Sequence, residues 1–423
     1  MTGFKKKRDR VDAEGKNCID VEYSDLAKSK EARKDVIEEP PLCQLKSTQD
    51  ESTNKGGTDN RGHHTDNKTK GPRGHEGTLG NIEKVEWDAR QVYFEHLLYP
   101  KHPLKWRAQP APGLENPGNL CYMITTVQLL YGMKCTRQLF SGGSFWQGLD
   151  LTTVHQFNTF GRKGGFIAVS LHTLFRKMQL QNCRQKVTSF KDVLVSNNSF
   201  KDFDNNRQHD ANEFLTKLLD ALSDATRLDK GGDPISQVFR SRVISWIQCQ
   251  TCERERINEG DTSISLKVPI TGDSIGACLS NYFLHEELHD WKCEHCKHAT
   301  AALKGFRLEP RNILIISLKR YSVTGIKNNA RVSFPLDDLD MSKFMVDDHK
   351  KTPPAKFSLV AVIQHHGNSP GNGHYDLIMR TGNRVWYRFD DQNVAITDAS
   401  ELVIDDAYTI IYCLHDKLHE LIF

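Results

Sequence analysis

The chain has 423 residues, with 57 Lys+Arg against 54 Asp+Glu and 38% apolar residues, so its formal charge is only +3. That length allows a sizeable core and excludes a mini-protein held together by disulfides. The small charge argues against a nucleic-acid partner, which demands a strongly basic face, and no apolar run reaches the roughly 18–20 residues that span a bilayer, so no membrane partner is expected.

The amino terminus, Lys5-Lys6-Lys7-Arg8, has no apolar stretch behind it. It does not read as a secretory leader, which predicts the cytoplasm and/or nucleus, with reduced thiols. Extended to Arg10, the run reads either as a nuclear import signal or as a solubilising charge run. Residues 1 to 82 are expected to be a disordered charged tail. In the first 80 positions 31 are charged, and Glu51 to Lys70 contains no apolar residue, too little to offset chain entropy. Residues 83 to 110 form a lead-in, with Trp87, Val92, Tyr93, Phe94, Leu97 and Leu98 near helical spacing before Pro100 and Pro103.

After a turn at Ala111-Pro112-Gly113, the apolar spacing predicts a buried helix over Tyr122 to Tyr131, and another lies near Ala168 to Leu180. A third spans Ala211 to Leu228. Asp210 caps it, Glu213 stands three residues later as in a capping box, and Phe214, Leu215, Leu218, Leu219 and Leu222 form its inward stripe. Beyond Gly231-Gly232-Asp233-Pro234 the period changes to two. Strands are predicted over Val238 to Ile247, Thr262 to Val268, Ala302 to Leu308, Ile313 to Leu318, Phe357 to Gln364, Tyr375 to Arg380, Val385 to Asp390 and Ala407 to Leu414. Helices first and an antiparallel-looking sheet second make the fold class α+β.

Eleven cysteines in a reducing compartment raise a question of chemistry. Cys249/Cys252 and Cys293/Cys296 are C-x2-C pairs separated by 40 residues, each at a turn between strand-like runs. Four thiolates suit one tetrahedral Zn²⁺ with no open position, which makes this a structural zinc ribbon that does no catalysis. Four unrelated thiols, or a pair of redox dithiols, are the alternatives. Cys121 opens a helix whose dipole and free amides favour a thiolate; a buried apolar cysteine is the plainer reading. Asn116, five residues upstream, has an amide suited to joining the Cys121 backbone N–H around an oxyanion. Far downstream, His374 follows a Gly-rich loop at a strand entrance, and Asp390-Asp391 closes the next strand. Neighbouring antiparallel strands would bring a carboxylate to the imidazole, the arrangement that orients a general base.

These segments also resemble a known family. Gly113-Leu114-Glu115-Asn116-Pro117-Gly118-Asn119-Leu120-Cys121-Tyr122-Met123 is similar to the Cys box of the ubiquitin-specific proteases, the papain-like cysteine deubiquitinases or ubiquitin carboxyl-terminal hydrolases. Gln208-His209-Asp210-Ala211-Asn212-Glu213-Phe214-Leu215 resembles their Q-Q-D-A-x-E-F-L segment. Ile315 to Tyr321 resembles their L-x-L-K-R-F strand, and Gly373-His374-Tyr375 with Trp386 to Asp391 resembles their His box. The matches fall in family order from Gly113 to Leu414.

The resemblance implies a papain-like fold of thumb, palm and fingers with the zinc ribbon at the fingers: a catalytic domain over 111–423, with the thumb at about 111–234, the fingers at about 235–310 and the palm at about 311–418. It implies hydrolysis of the isopeptide bond after ubiquitin's last glycine, with ubiquitin and ubiquitinated proteins as partners, a monomeric catalytic domain and no catalytic cofactor. Cys121 becomes the nucleophile, His374 the base, Asp390 its orienting acid and Asn116 the oxyanion donor, while Asp210 and Glu213 pair with arginines of the ubiquitin tail. His365 and His366 fall where the family has a loop over the tail channel. The chain departs from the pattern at Pro117, Leu120, Ile124 and His209. A ubiquitin-binding scaffold without turnover, or a hydrolase of a ubiquitin-like modifier, is the alternative.

Overall fold

The computed structural model describes residues 110–141, 165–180, 185–227, 232–346, 355–369, 371–381, 384–402 and 405–423. The expected tail and nearly all of the lead-in lie outside the described residues.

Helix α1 (Cys121–Gly132) is buried along its whole length. Its threonines are accommodated because their hydroxyls bond back to carbonyls within the helix, Thr125 to Cys121 and Thr126 to Tyr122, each at 2.9 Å. Around it stand α2 (Lys134–Ser141), α3 (Gly165–Leu180), α4 (Thr188–Ser196) and α5 (Ala211–Thr226). The cap expected for α5 is present: Asp210 Oδ1 accepts from the Glu213 N–H at 2.9 Å, and the five stripe residues are buried. The helix stops at Thr226, two residues short of the sequence expectation. Asp233 then caps α6 (Pro234–Phe239), which takes Val238 out of the strand predicted to include it.

Two sheets follow. The smaller is antiparallel, in the order β4 (Glu255–Ser263), β3 (Ser241–Cys249), β7 (Ala299–Glu309), β6 (Glu286–Lys292). The C-x2-C pairs occupy its β3–β4 and β6–β7 turns. The larger runs β13 (Asn393–Thr397), β12 (Trp386–Asp390), β11 (Asn372–Arg380), β10 (Lys356–Ser369), β14 (Ala407–Leu414), β8 (Ile313–Lys319), β5 (Ser265–Pro269), with β9 (Leu339–Asp340) beside β10. It is not wholly antiparallel as expected. β5 pairs parallel with β8, because the chain leaves through the smaller sheet and returns before laying down β8. Residues 265–282, within the span expected for the fingers, belong to this larger assembly: β5 is its edge, and α7 (Ile275–Tyr282) packs against its far face.

Both faces of the larger sheet are covered. Ala361, Ile363, Leu377, Met379, Phe389 and Ile411 meet the helical layer, whereas Val362, Ile378, Ile410 and Tyr412 meet α7 and Phe344. Double coverage explains why β10 and β14 read as nearly unbroken apolar runs. β6 went unpredicted for the opposite reason, since its seven residues show no buried alternation.

Candidate active site

Gly118 (φ 141°) and Asn119 (φ 53°) turn the chain through left-handed conformations just before Cys121, and Gly118 is the residue type that does so without strain. Asn116 holds this loop from within, its Oδ1 accepting the amides of Gly118 (3.0 Å) and Leu120 (3.2 Å). Cys121 therefore emerges at the first turn of α1, 2% exposed.

The sheet delivers the rest. β11 carries His374 and β12 carries Asp390, and the antiparallel register places Leu377 opposite Phe389, so the acid lies beside the imidazole. His374 Nε2 is 2.6 Å from Asp390 Oδ1. A hydrogen bond with the Cys121 thiol, together with Asp390 and against partial burial, raises the His374 pKa to about 9. Three residues from opposite ends of the described chain thus form a thiol, imidazole and carboxylate relay.

Asn116 stands beside this group, but its Nδ2 donates to Asp391 Oδ2 at 2.9 Å. Asp391 received no catalytic role from sequence reasoning, which read the Asp390-Asp391 doublet otherwise as a hairpin turn. It forms the left-handed corner (φ 51°) of the turn between β12 and β13. Its carbonyl accepts from Leu114 N and from Gln128 Nε2, both at 2.9 Å. Gly113 approaches the same turn so closely that a Cβ there would lie 2.0 Å from the Gln392 carbonyl oxygen. The nucleophile's loop and the acid's strand are therefore bolted together, and burial of the Asp391 carboxyl raises its pKa. The doublet Asp390-Asp391 carried the signal, but spacing could not separate the two roles.

Gln208 was also missed as a site residue. Its Nε2 lies 3.8 Å from Cys121 Sγ. Its neighbour His209, where the family pattern has a second Gln, packs on the rings of Tyr122 (5.4 Å) and Phe203 (4.8 Å) and meets Asn205 Oδ1 at 2.9 Å. Leu120 and Ile124, two further departures, are buried in the core.

Asp210, besides capping α5, accepts the Tyr408 hydroxyl on its Oδ2. Glu213 is exposed and pairs with Lys217 at 3.1 Å. His365 and His366 sit on strand β10 and not in a loop. His365 is fully buried, which depresses its pKa to about 4, and its Nδ1 meets the Tyr321 hydroxyl.

At the far end of the smaller sheet the four cysteines converge. Cys249 and Cys296 Sγ are 3.9 Å apart, Cys252 and Cys293 Sγ 3.7 Å, and all four lie within 4.8 Å of one another. A tetrahedron with Zn–S bonds of about 2.3 Å has sulfurs about 3.8 Å apart, so the cluster has the size of a zinc site. The two turns are near copies: Glu253 N bonds Cys249 O (2.8 Å) and Lys297 N bonds Cys293 O (2.9 Å), and both Glu253 and Lys297 are left-handed. None of the four is paired in a disulfide. Among the described residues no helix is long and apolar enough to cross a membrane.

Comparison with known proteins agrees with this geometry. Among curated proteins, ubiquitin carboxyl-terminal hydrolase 36 of Drosophila pseudoobscura pseudoobscura is 27% identical over 340 residues, covering 75% of this chain and 31% of the relative. The Drosophila virilis protein of the same name is 27% identical over 402 residues, covering 85% and 32%. This chain thus spans about a third of the length of these relatives. Among solved structures, the fold is similar to a chain of the SAGA Ubp8/Sgf11/Sus1/Sgf73 DUB module bound to ubiquitin aldehyde. The TM-score is 0.62 at 20% identity, covering 80% of this chain and 77% of that one. The family model for ubiquitin carboxyl-terminal hydrolase matches residues 112–412, a span that runs from the Cys121 loop through the Asp390 strand to β14, and the chain belongs to that family.

Proposed function

We propose that the chain is a thiol-dependent deubiquitinase, hydrolysing the isopeptide bond after ubiquitin's carboxyl-terminal glycine to release ubiquitin from protein conjugates. The observation that carries this reading is the relay in which His374 hydrogen-bonds both the Cys121 thiol and Asp390, the latter at 2.6 Å. In that reading the thiol proton rests on His374 and Cys121 Sγ attacks the glycine carbonyl carbon. The carbonyl's π pair moves to oxygen, which the Asn116 amide and the Cys121 N–H receive. As the C–N bond breaks, His374 gives its proton to the departing lysine amine. Water then attacks the thioester, passing a proton to His374 and returning Cys121 to its resting state. Asp390 fixes the imidazole's orientation.

The helical layer (about 111–234), the smaller sheet (within about 235–310) and the larger sheet (about 311–418 with β5 as its edge) correspond to thumb, fingers and palm, with ubiquitin held by the fingers and its tail threaded toward Cys121. Asp210 and Glu213 present carboxylate oxygens on that path, suited to the tail's arginines. Cys249, Cys252, Cys293 and Cys296 would hold one zinc ion, which supplies a cross-link between two turns. The catalytic domain is taken to act as a monomer, in the reducing cytoplasm and/or nucleus.

The test is a ubiquitin bearing an electrophile at its carboxyl terminus, offered to the wild type and to Cys121→Ala. A covalent adduct on the wild type alone supports the enzyme. Binding without an adduct indicates a scaffold, and labelling only by a ubiquitin-like probe moves the substrate class.

A further inference from the structure

Among the described residues, His374 and Gln208 interact with the sulfur of Cys121, and of these only His374 belongs to the relay. The other is Gln208, 8% exposed, whose Nε2 points at Sγ from 3.8 Å. It comes from a different part of the fold, the segment leading into α5. Asn116, the side-chain donor expected for the oxyanion, has its Nδ2 engaged by Asp391.

The segment carrying Gln208 is braced on both sides. Asn206 O accepts from Asn119 Nδ2 at 2.8 Å, tying it to the loop immediately before the nucleophile. Lys191 Nζ holds the Asn205 carbonyl at 2.7 Å, and Asn205 Oδ1 accepts from Arg207 N at 2.8 Å. On the following side His209 is packed between aromatic rings and Asp210 is fixed as the cap of α5. A side chain flanked in this way loses little entropy when it donates a hydrogen bond, because its backbone is already placed. Its chemistry suits the position as well. A carboxamide carries two N–H donors, stays neutral across the working pH range and takes no proton from the thiol, unlike a lysine or a second histidine.

We infer that Gln208 is a catalytic residue, an amide donor that holds the Cys121 thiolate in the resting enzyme and follows the charge onto the oxyanion when the carbonyl is attacked. As the S–C bond forms, the carbonyl π pair moves to an oxygen bonded to the same carbon as the sulfur. A donor already against the sulfur reaches that oxygen at about 2.7–3.1 Å by a small side-chain rotation. The proton inventory is unchanged, since Gln208 lends a hydrogen bond and His374 alone exchanges a proton.

This inference deepens the deubiquitinase reading and rests on it for the oxyanion step, though not for the contact with sulfur. The test uses the full chain with Gln208→Ala, Gln208→Asn and Gln208→Glu, each confirmed as folded by its thermal midpoint. Turnover of a fluorogenic ubiquitin carboxyl-terminal amide is measured alongside the rate of Cys121 alkylation against pH. The expected result is a fall in kcat of about 10²-fold in Gln208→Ala with KM changed by less than about threefold, the signature of an interaction made in the transition state. Gln208→Asn, one methylene short, serves if the alanine variant does not fold, and gives a similar loss. In Gln208→Glu the carboxylate faces the sulfur as an acceptor, and the rise of alkylation moves to higher pH. A raised KM with unchanged kcat would assign Gln208 to ground-state tail binding and overturn the inference; so would kcat and alkylation profiles that match the wild type. If the wild type neither turns over ubiquitin amides nor forms the probe adduct, the deubiquitinase reading falls, and alkylation alone decides the contact: a moved curve upholds it and an unmoved one removes it.

Discussion

His366 and His374 stand directly opposite one another on β10 and β11, and each imidazole is held by carboxylates. For His374 the carboxylate is Asp390. For His366 there are two: Nδ1 lies 2.9 Å from Asp406 Oδ2, and Nε2 forms an ion-pair contact of 3.2 Å with Asp376 Oδ1. Each acid has a permanent cation behind it. Arg388 grips Asp376 Oδ2 at 2.5 and 2.7 Å, and Lys327 meets Asp406 Oδ1 at 2.6 Å. A ring with a carboxylate on each nitrogen is best matched as imidazolium, so the hairpin that presents the catalytic histidine is clamped close to its turn by a second, charged one.

The clamp predicts a pH-dependent stability. The Asp376 contact, helped by Asp406 and opposed by burial, raises the pKa of His366. Its contribution is therefore full below the unfolded value near 6.5 and fades as pH rises through the higher folded value. His366→Gln should destabilise by about 1–3 kcal/mol at pH 6, since it leaves Asp376 fully buried and short of a charged partner. The gap in thermal midpoint between variant and wild type should narrow as pH rises above 6.5. His374 titrates in both proteins, and His365, whose pKa of about 4 owes its depression to burial and in part to the His366 charge, stays neutral from pH 6 upward, so the change above pH 6 reports His366. A gap that stays constant with pH would remove the clamp.

The relay predicts a descending limb of activity. His374 keeps its proton to about pH 9 because the thiol bond and Asp390 favour the charged ring. Cleavage of an amide needs that proton for the leaving amine, so kcat/KM should fall as pH rises through about 9. Asp390→Asn should shift the limb to lower pH and reduce kcat on the order of 10²-fold. An unshifted limb would mean that Asp390 does not set the protonation of His374.

The cysteine cluster predicts one zinc per chain by metal analysis. Cys249→Ser should lower that content and expose the turns at 249–254 and 293–298 to proteolysis, with the larger sheet protected, because the side-chain bonds that also bridge the two turns, Thr251 with Thr300 and Arg254 with His295, are exposed and weaker than four thiolates on one ion. Full zinc in this variant would place the metal elsewhere.

Asn116 has a structural task as well as its proposed chemical one. It accepts two loop amides and donates to Asp391. Asn116→Ala should therefore lower stability by about 1–2 kcal/mol as well as kcat, since it leaves partly buried partners unpaired. A kcat loss with no change in denaturation midpoint would show that the loop holds itself.

Much of this protein was legible in its sequence, for reasons local to the chain. The cap at Asp210 and the stripe on α5 were readable because capping and helical periodicity act within one or two turns. β14 was found at its full extent, Ala407–Leu414, because a strand buried on both faces is an unbroken apolar run ended by polar residues. The C-x2-C pairs announced a tetrahedral donor set because each half is closed by its own turn. Cys121, His374 and Asp390 were legible as motifs, but not as a measured relay.

Tertiary structure decided what depends on long-range register. Only the pairing of β11 with β12 and the packing of α1 beneath them bring Cys121 to His374, and only that pairing separates Asp390, which faces the imidazole, from Asp391, which ties down the Asn116 loop. The parallel edge at β5 depends on where the chain returns from an excursion through another sheet. The clamp on His366 assembles β10, β11, β12 and the segments at Lys327 and Asp406. Gln208 could be read from its position as a residue leading into a helix; that its amide faces the nucleophile follows from how two loops, 87 residues apart in sequence, are tied together. Local forces act over a few residues and are written in their spacing, whereas the contacts that make the site are chosen by the closure of the whole core.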